Sequence, residues 1–148
     1  RLAEVEAALD RWVPAQAPAG LGDAMRYGVL DGGKRLRPLL ALAAAEAVGA
    51  DGGEAALRAA CAVELIHAYS LVHDDVLRRG KPTVHVRYGQ ARAMLAGDAM
   101  QALAFEVLTP DDGSVPAALQ ARLCALLARA AGCAGMAGGQ AIDLASVG

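Results

Sequence analysis

Alanine and leucine dominate this chain from end to end, β-branched residues are few, and no stretch alternates apolar with polar residues. Alanine and leucine lose little freedom in a helix, whereas a half-buried strand needs period-two alternation. The pattern therefore predicts an all-α fold, and glycine and proline mark where its helices stop. Leu2, Val5 and Leu9 recur at helical spacing in a first short helix, stopped by Pro14 and Pro18. A second helix runs from Leu21 to Leu30 and ends at Gly32-Gly33, where a left-handed cap fits. Pro38 suits the first turn of a third, since its missing N–H would be unpaired there anyway. That helix runs through Leu39, Leu40, Leu42 and Ala45 to a loop at Asp51-Gly52-Gly53, and a fourth covers Glu54 to Asp75. After Gly80-Lys81-Pro82, Tyr88 to Leu108 forms a fifth helix, apolar nearly all round, which belongs at the centre of a bundle. Beyond a turn at 110–113, Val115 to about Leu144 reads as one helix or a helical pair, weakest at Gly132, Gly135 and Gly138-Gly139. With no repeat, linker or boundary, residues 1–148 read as a single helical domain.

A chain of 148 residues is long enough to bury a core. Its net charge of −2 offers no polybasic field, and 3% aromatic content offers few stacking platforms, so nucleic acid is not expected as a partner. Cys61, Cys124 and Cys133 are odd in number and form no CxxC pair, and so read as reduced, mostly buried thiols. Charges at Glu46, Asp98, Arg122 and Arg129 interrupt the longest apolar stretches, so no membrane span is expected. Arg1 to Asp10 carries its charges on a helical pattern, unlike a secretory leader. The expectation is a cytoplasmic protein.

The densest polar cluster is His73-Asp74-Asp75-Val76-Leu77-Arg78-Arg79-Gly80-Lys81-Pro82-Thr83. Paired carboxylates offer hard oxygen ligands to a divalent metal, and the nearby cations suit phosphate oxygens. Together they fit a metal-bridged diphosphate. His67 and Asp74 are seven apart, almost two helical turns, so both project from one face with Ser70 and Leu71 between them. Carboxylates at a helix C-terminus oppose the dipole, and a bound cation would offset that. The alternative is a surface cluster in which Asp74 and Asp75 pair with Arg78 and Arg79, at ~0–1 kcal/mol per pair. A second basic cluster lies at Gly32-Gly33-Lys34-Arg35-Leu36-Arg37-Pro38. Lys34 and Arg37 flank a helix start whose dipole repels cations, so phosphate recognition explains them better than helix propensity does.

The Gly-Gly-Lys-Arg-Leu-Arg-Pro string at 32–38 resembles the first motif of the trans-polyprenyl diphosphate synthases, the farnesyl and geranylgeranyl diphosphate synthase family. So do the stretches from Glu64 to Asp75, Leu77 to Thr83, Leu95 to Ala99 and Gly138 to Leu144, in family order. The resemblance implies an isoprenoid synthase-type helical bundle around a central cavity, of which this chain would be the N-terminal part. It also implies a cytoplasmic homodimeric prenyltransferase that condenses dimethylallyl or geranyl diphosphate with isopentenyl diphosphate to give farnesyl diphosphate. Geranylgeranyl or geranyl diphosphate is the alternative product. Lys34, Arg37, His67 and Arg79 would bind the isopentenyl diphosphate, and Arg78 the allylic one. Asp74 and Asp75 would bind Mg2+. Tyr69, five residues before Asp74, would limit product length, although helical geometry at ~100° per residue sets it off the Asp74 stripe. Gln140 and Asp143 would be polar groups within the cavity, with structural roles.

Val76 alone separates Asp75 from Leu77, where the family pattern carries further aspartates. A second aspartate-rich motif and a Lys-Thr element also lie outside these 148 residues. A catalytically inactive, truncated relative that acts as a partner subunit is therefore the alternative of another class. Half a bundle would leave the apolar faces of the Tyr88–Leu108 helix uncovered.

Overall fold

The computed structural model describes residues 1–50, 53–74, 77–78 and 81–146, with side chains outside 73–81. In chain order come α1 (Leu2–Trp12), a 3-10 turn (Pro18–Gly20), α2 (Leu21–Leu30), α3 (Leu36–Ala47) and α4 (Glu54–Asp74). They are followed by β1 (Leu77–Arg78), β2 (Lys81–Pro82), α5 (Val84–Tyr88), α6 (Gln90–Leu108), α7 (Ala117–Ala131) and α8 (Met136–Ser146). The molecule is a helical bundle, as the composition predicts. Helix α2 has the bounds its apolar spacing predicts, and Gly32 beyond it takes φ +77°, the left-handed turn expected there. Pro38 is buried in the first turn of α3.

Two local features differ from the sequence reading. Gly89, at φ +86° and ψ 154°, breaks the helix read as starting at Tyr88, so a separate one-turn α5 precedes α6. That backbone region is open essentially to glycine alone. Strands β1 and β2 form a two-residue antiparallel ladder, with Leu77 opposite Pro82 and Arg78 opposite Lys81. Strands this short carry no alternation to detect.

Helices α4 and α6 form the central pair, with α3 against α4 and with α2 and α5 against α6. Small residues let the pair approach: Ala60 and Cys61 of α4, and Ala96 and Ala104 of α6, are fully buried beside Leu65 and Met100. Each large apolar side chain buried here contributes ~1.5–3 kcal/mol. Helix α1 seats Val5 and Leu9 in the same cluster. At the entry to α2, a Cβ on Gly22 would lie 2.6 Å from the Ala15 carbonyl oxygen, so only glycine fits.

Eight residues of α6 are buried, although Met94 and Leu95 remain exposed. The apolar surface left uncovered therefore lies less on α6 than expected, because α2, α4 and α5 cover it. Helix α8 buries none of its residues, and Leu126, Ile142 and Leu144 are exposed along α7 and α8. Two stretches, Glu54–Val72 and Ala117–Ser146, are long and apolar enough to cross a membrane by length and composition, where the sequence reading expected none. The interrupting charges considered there fall outside the first stretch. That stretch is largely core helix, whereas the second is the α7–α8 pair.

The three cysteines are free, and they differ in environment. Cys61 is buried, Cys124 half-buried and Cys133 exposed, so the expectation of mostly buried thiols holds only for the first two. Burial, reinforced by the Glu64 charge, pushes the Cys61 thiol up to about 12. A thiol whose pKa is raised by folding stabilises the fold fully below its unfolded value, and the effect is lost as pH rises toward the folded one. Between about pH 9 and 12 the unfolded chain ionises first, and stability should fall by a few kcal/mol. Cys61→Ala should flatten that alkaline limb in urea titrations at fixed pH. In native protein, a thiol reagent should modify Cys133 first and leave Cys61 intact until unfolding.

Candidate substrate site

The basic loop before α3 is organised by a residue the sequence reading did not single out. Arg35 caps α3 in the left-handed conformation (φ 46°, ψ 34°), which costs a non-glycine residue ~1–2 kcal/mol. Its guanidinium holds it there. Nε and Nη2 donate to the two carboxylate oxygens of Glu6 at 2.7 and 3.1 Å, Nη1 to Glu64 at 2.8 Å, and Nη2 to the Val29 carbonyl at 2.7 Å. These partners lie on α1, α4 and α2, so one side chain ties three helices to the start of α3. Burial by itself lowers the Arg35 pKa, but hydrogen bonds to Glu6 and Glu64 and their charges outweigh it and raise it. Arg35 is thus charged, compensated and turned inward. The sequence did hold a signal, because Glu64 interrupts the apolar run from Cys61 to Ile66, and a buried carboxylate demands a cation.

With Arg35 directed inward, its neighbours Lys34 and Arg37 are exposed. Arg37, in the first turn of α3, faces α4 across an open cleft of about 660 Å³. His67, Tyr69, Ser70 and Leu71 line the cleft from α4, Leu127 and Ala131 from α7, and Met136, Gln140 and Leu144 from α8. His67, Ser70 and Leu71 share this wall as helical spacing requires, and the Ser70 hydroxyl donates to the His67 carbonyl at 2.9 Å. Tyr69 reaches the same wall. Lys34 does not line the cleft, and neither does Asp143, which is exposed. Gln140 does. Asp98 and Leu95 face outward from α6.

Asp74 ends α4, and Arg78 stands in β1, but both side chains lie outside the described residues. Asp75 and Arg79 lie outside them altogether. Among the described residues no group of three His, Cys, Asp or Glu could hold a metal ion. The Asp74–Asp75 pair suits magnesium in kind, as hard oxygen donors, but two carboxylates leave most of an octahedron to water or phosphate. Chemically, the cleft sets a cation and an imidazole among walls that are mostly apolar, with Tyr69, Ser70 and Gln140 as further polar groups. That arrangement fits an elongated ligand with an anionic head and a hydrocarbon body.

A sequence profile described as Polyprenyl synthetase matches residues 18–147. The chain belongs to the polyprenyl synthetase family. Its sequence is 52% identical over 150 residues to the chloroplastic geranylgeranyl pyrophosphate synthase 9 of Arabidopsis thaliana, covering 96% of this chain and 41% of that protein. It is 47% identical over 149 residues to the farnesyl diphosphate synthase of Geobacillus stearothermophilus, covering 95% of this chain and 50% of that one. In three dimensions it resembles an FPP/GFPP synthase from Zymomonas mobilis, with a TM-score of 0.88 at 45% identity, covering 97% of this chain and 54% of that chain. The chain thus spans about half the length of the curated relatives it matches. The family fold also accounts for the all-helical bundle. The Arabidopsis alignment is longer than this chain, so that relative carries residues absent here.

Proposed function

We propose that the complete protein is a prenyltransferase that joins an allylic diphosphate, dimethylallyl or geranyl, to isopentenyl diphosphate, and that farnesyl diphosphate is its product. The carrying observation is that Arg37 and His67 both line one largely apolar cleft. In this reading the 148 residues are one helical domain, the N-terminal part of a larger bundle, consistent with the uncovered α8. Lys34, Arg37, His67 and Arg79 hold the isopentenyl diphosphate by charge-assisted hydrogen bonds. Arg78 neutralises charge building on the departing allylic diphosphate as its C–O bond breaks. Asp74 and Asp75 would hold Mg2+, which supplies the positive charge that lets carboxylates and diphosphate share one site. Apolar walls keep water from the allylic cation, so the isopentenyl double bond attacks it instead, and the resulting cation loses a proton to the departed diphosphate to form the product double bond. A homodimer belongs to the same reading, supported by Met94 and Leu95 exposed on α6.

Tyr69 supports a C15 product, because its ring stands in the cleft wall. A second reading, geranylgeranyl diphosphate, is favoured by the 52% identity to a protein of that name. Incubating the complete enzyme with both diphosphates and magnesium tests the activity, and product chromatography tests the length. Farnesyl diphosphate should dominate, and Tyr69→Ala should shift products to C20 or longer. Products of unchanged length in the variant would remove the ring as the floor of the cavity. Turnover that appears only when a longer synthase is added would favour the partner-subunit reading.

A further inference from the structure

The ladder of β1 and β2 carries Arg78, and its Leu77–Pro82 end is fastened to the bundle by a tyrosine the function above does not use. Tyr27, on α2, donates its hydroxyl to the Pro82 carbonyl at 2.7 Å. Its ring meets Tyr88 of α5 edge-on, with centroids 5.7 Å apart. The Arg87 guanidinium stacks over Tyr27 at 4.5 Å and reaches Tyr88 at 5.5 Å. Two side chains, Arg87 and Tyr88, thus pack the phenol in one orientation against the strand. Pro82 stands opposite Leu77, and Lys81 opposite Arg78, so fixing one strand fixes the register of the other. Tyr27 also lies four residues before Asp31, and with Asp31, Gly32, Pro82 and Thr83 it lines a cavity of about 30 Å³ between the two basic segments. That volume admits about one water molecule, so the start of the Gly32 loop and the end of β2 lie close together there.

We infer that Tyr27, braced by Arg87 and Tyr88, is a positioning residue. It sets the hairpin bearing Arg78 relative to the Gly32–Arg37 loop, so that cations from both segments reach diphosphate groups without reordering. The inference rests on the prenyltransferase reading for its ligand, but the anchoring can be measured without one.

Tyr27→Phe removes only the hydroxyl and keeps the ring that Arg87 and Tyr88 pack against. In the full-length protein it should speed amide exchange at Leu77, Arg78 and Lys81 several-fold without moving the thermal midpoint appreciably. Affinity for inorganic pyrophosphate with magnesium, by calorimetry, should fall ~3–10-fold, the range one lost hydrogen bond allows. In turnover assays KM for a diphosphate substrate should rise by a similar factor, with kcat nearly unchanged. Arg87→Gln should act in the same direction. Unchanged exchange overturns the anchoring, and faster exchange with unchanged pyrophosphate affinity overturns the positioning role. Wild-type protein that binds no pyrophosphate would instead sink the prenyltransferase reading, and exchange alone would then decide whether Tyr27 anchors the hairpin.

Discussion

Replacing Arg35 with alanine is expected to lower the unfolding free energy by ~3–5 kcal/mol, the usual cost of stranding a buried charge whose partner has been removed. The Arg35 side chain is 2% exposed and Glu64 6%, so water cannot stand in for the guanidinium. The Val29 carbonyl and both Glu6 oxygens lose donors at the same time. Lysine should not rescue, because a single ammonium cannot reproduce a fork that reaches three helices. Part of the loss should be regained in Arg35→Met combined with Glu64→Leu, where no buried charge is left alone. Urea unfolding of the three variants checks this ordering. A single-variant loss under about 1 kcal/mol would mean that Glu64 finds solvent.

Arg37→Gln, two residues along, should do the opposite. Arg37 is exposed and makes no side-chain hydrogen bond or ion pair among the described residues, so the thermal midpoint should stay within ~2 °C. Affinity for inorganic pyrophosphate should drop ~10–100-fold, since a charge-assisted contact to the anion is lost. The wild-type affinity should also weaken with added salt more steeply than that of the variant. Calorimetry at two ionic strengths measures both effects. Equal affinities in the two proteins would take Arg37 out of the anion site.

Those contrasting outcomes show where sequence reasoning succeeds and where it stops. Helix bounds were legible wherever glycine or proline punctuated apolar spacing, as at Leu21–Leu30 and around Pro38. The helical stripe of His67, Ser70 and Leu71 followed from the 3.6-residue repeat alone. Tyr69 shows the limit of stripe arithmetic: a large ring one or two positions off the line still reaches the same cleft, because α7 and α8 close over that side. The one-turn α5 ahead of Gly89 escaped notice because five residues hold too few apolar positions to show a helical repeat. Thiol burial was misjudged at Cys133, which follows the end of α7 where few neighbours pack.

By itself, the sequence determined the helical class and the order of the helices, because each depends on local spacing along one chain. Only the tertiary structure decided which arginine of the Lys34–Arg37 string is a structural tie and which faces the cleft. Adjacent residues of like charge are equivalent until the surrounding helices place two carboxylates within reach of one of them, and that placement depends on α1 and α4 meeting across long stretches of sequence.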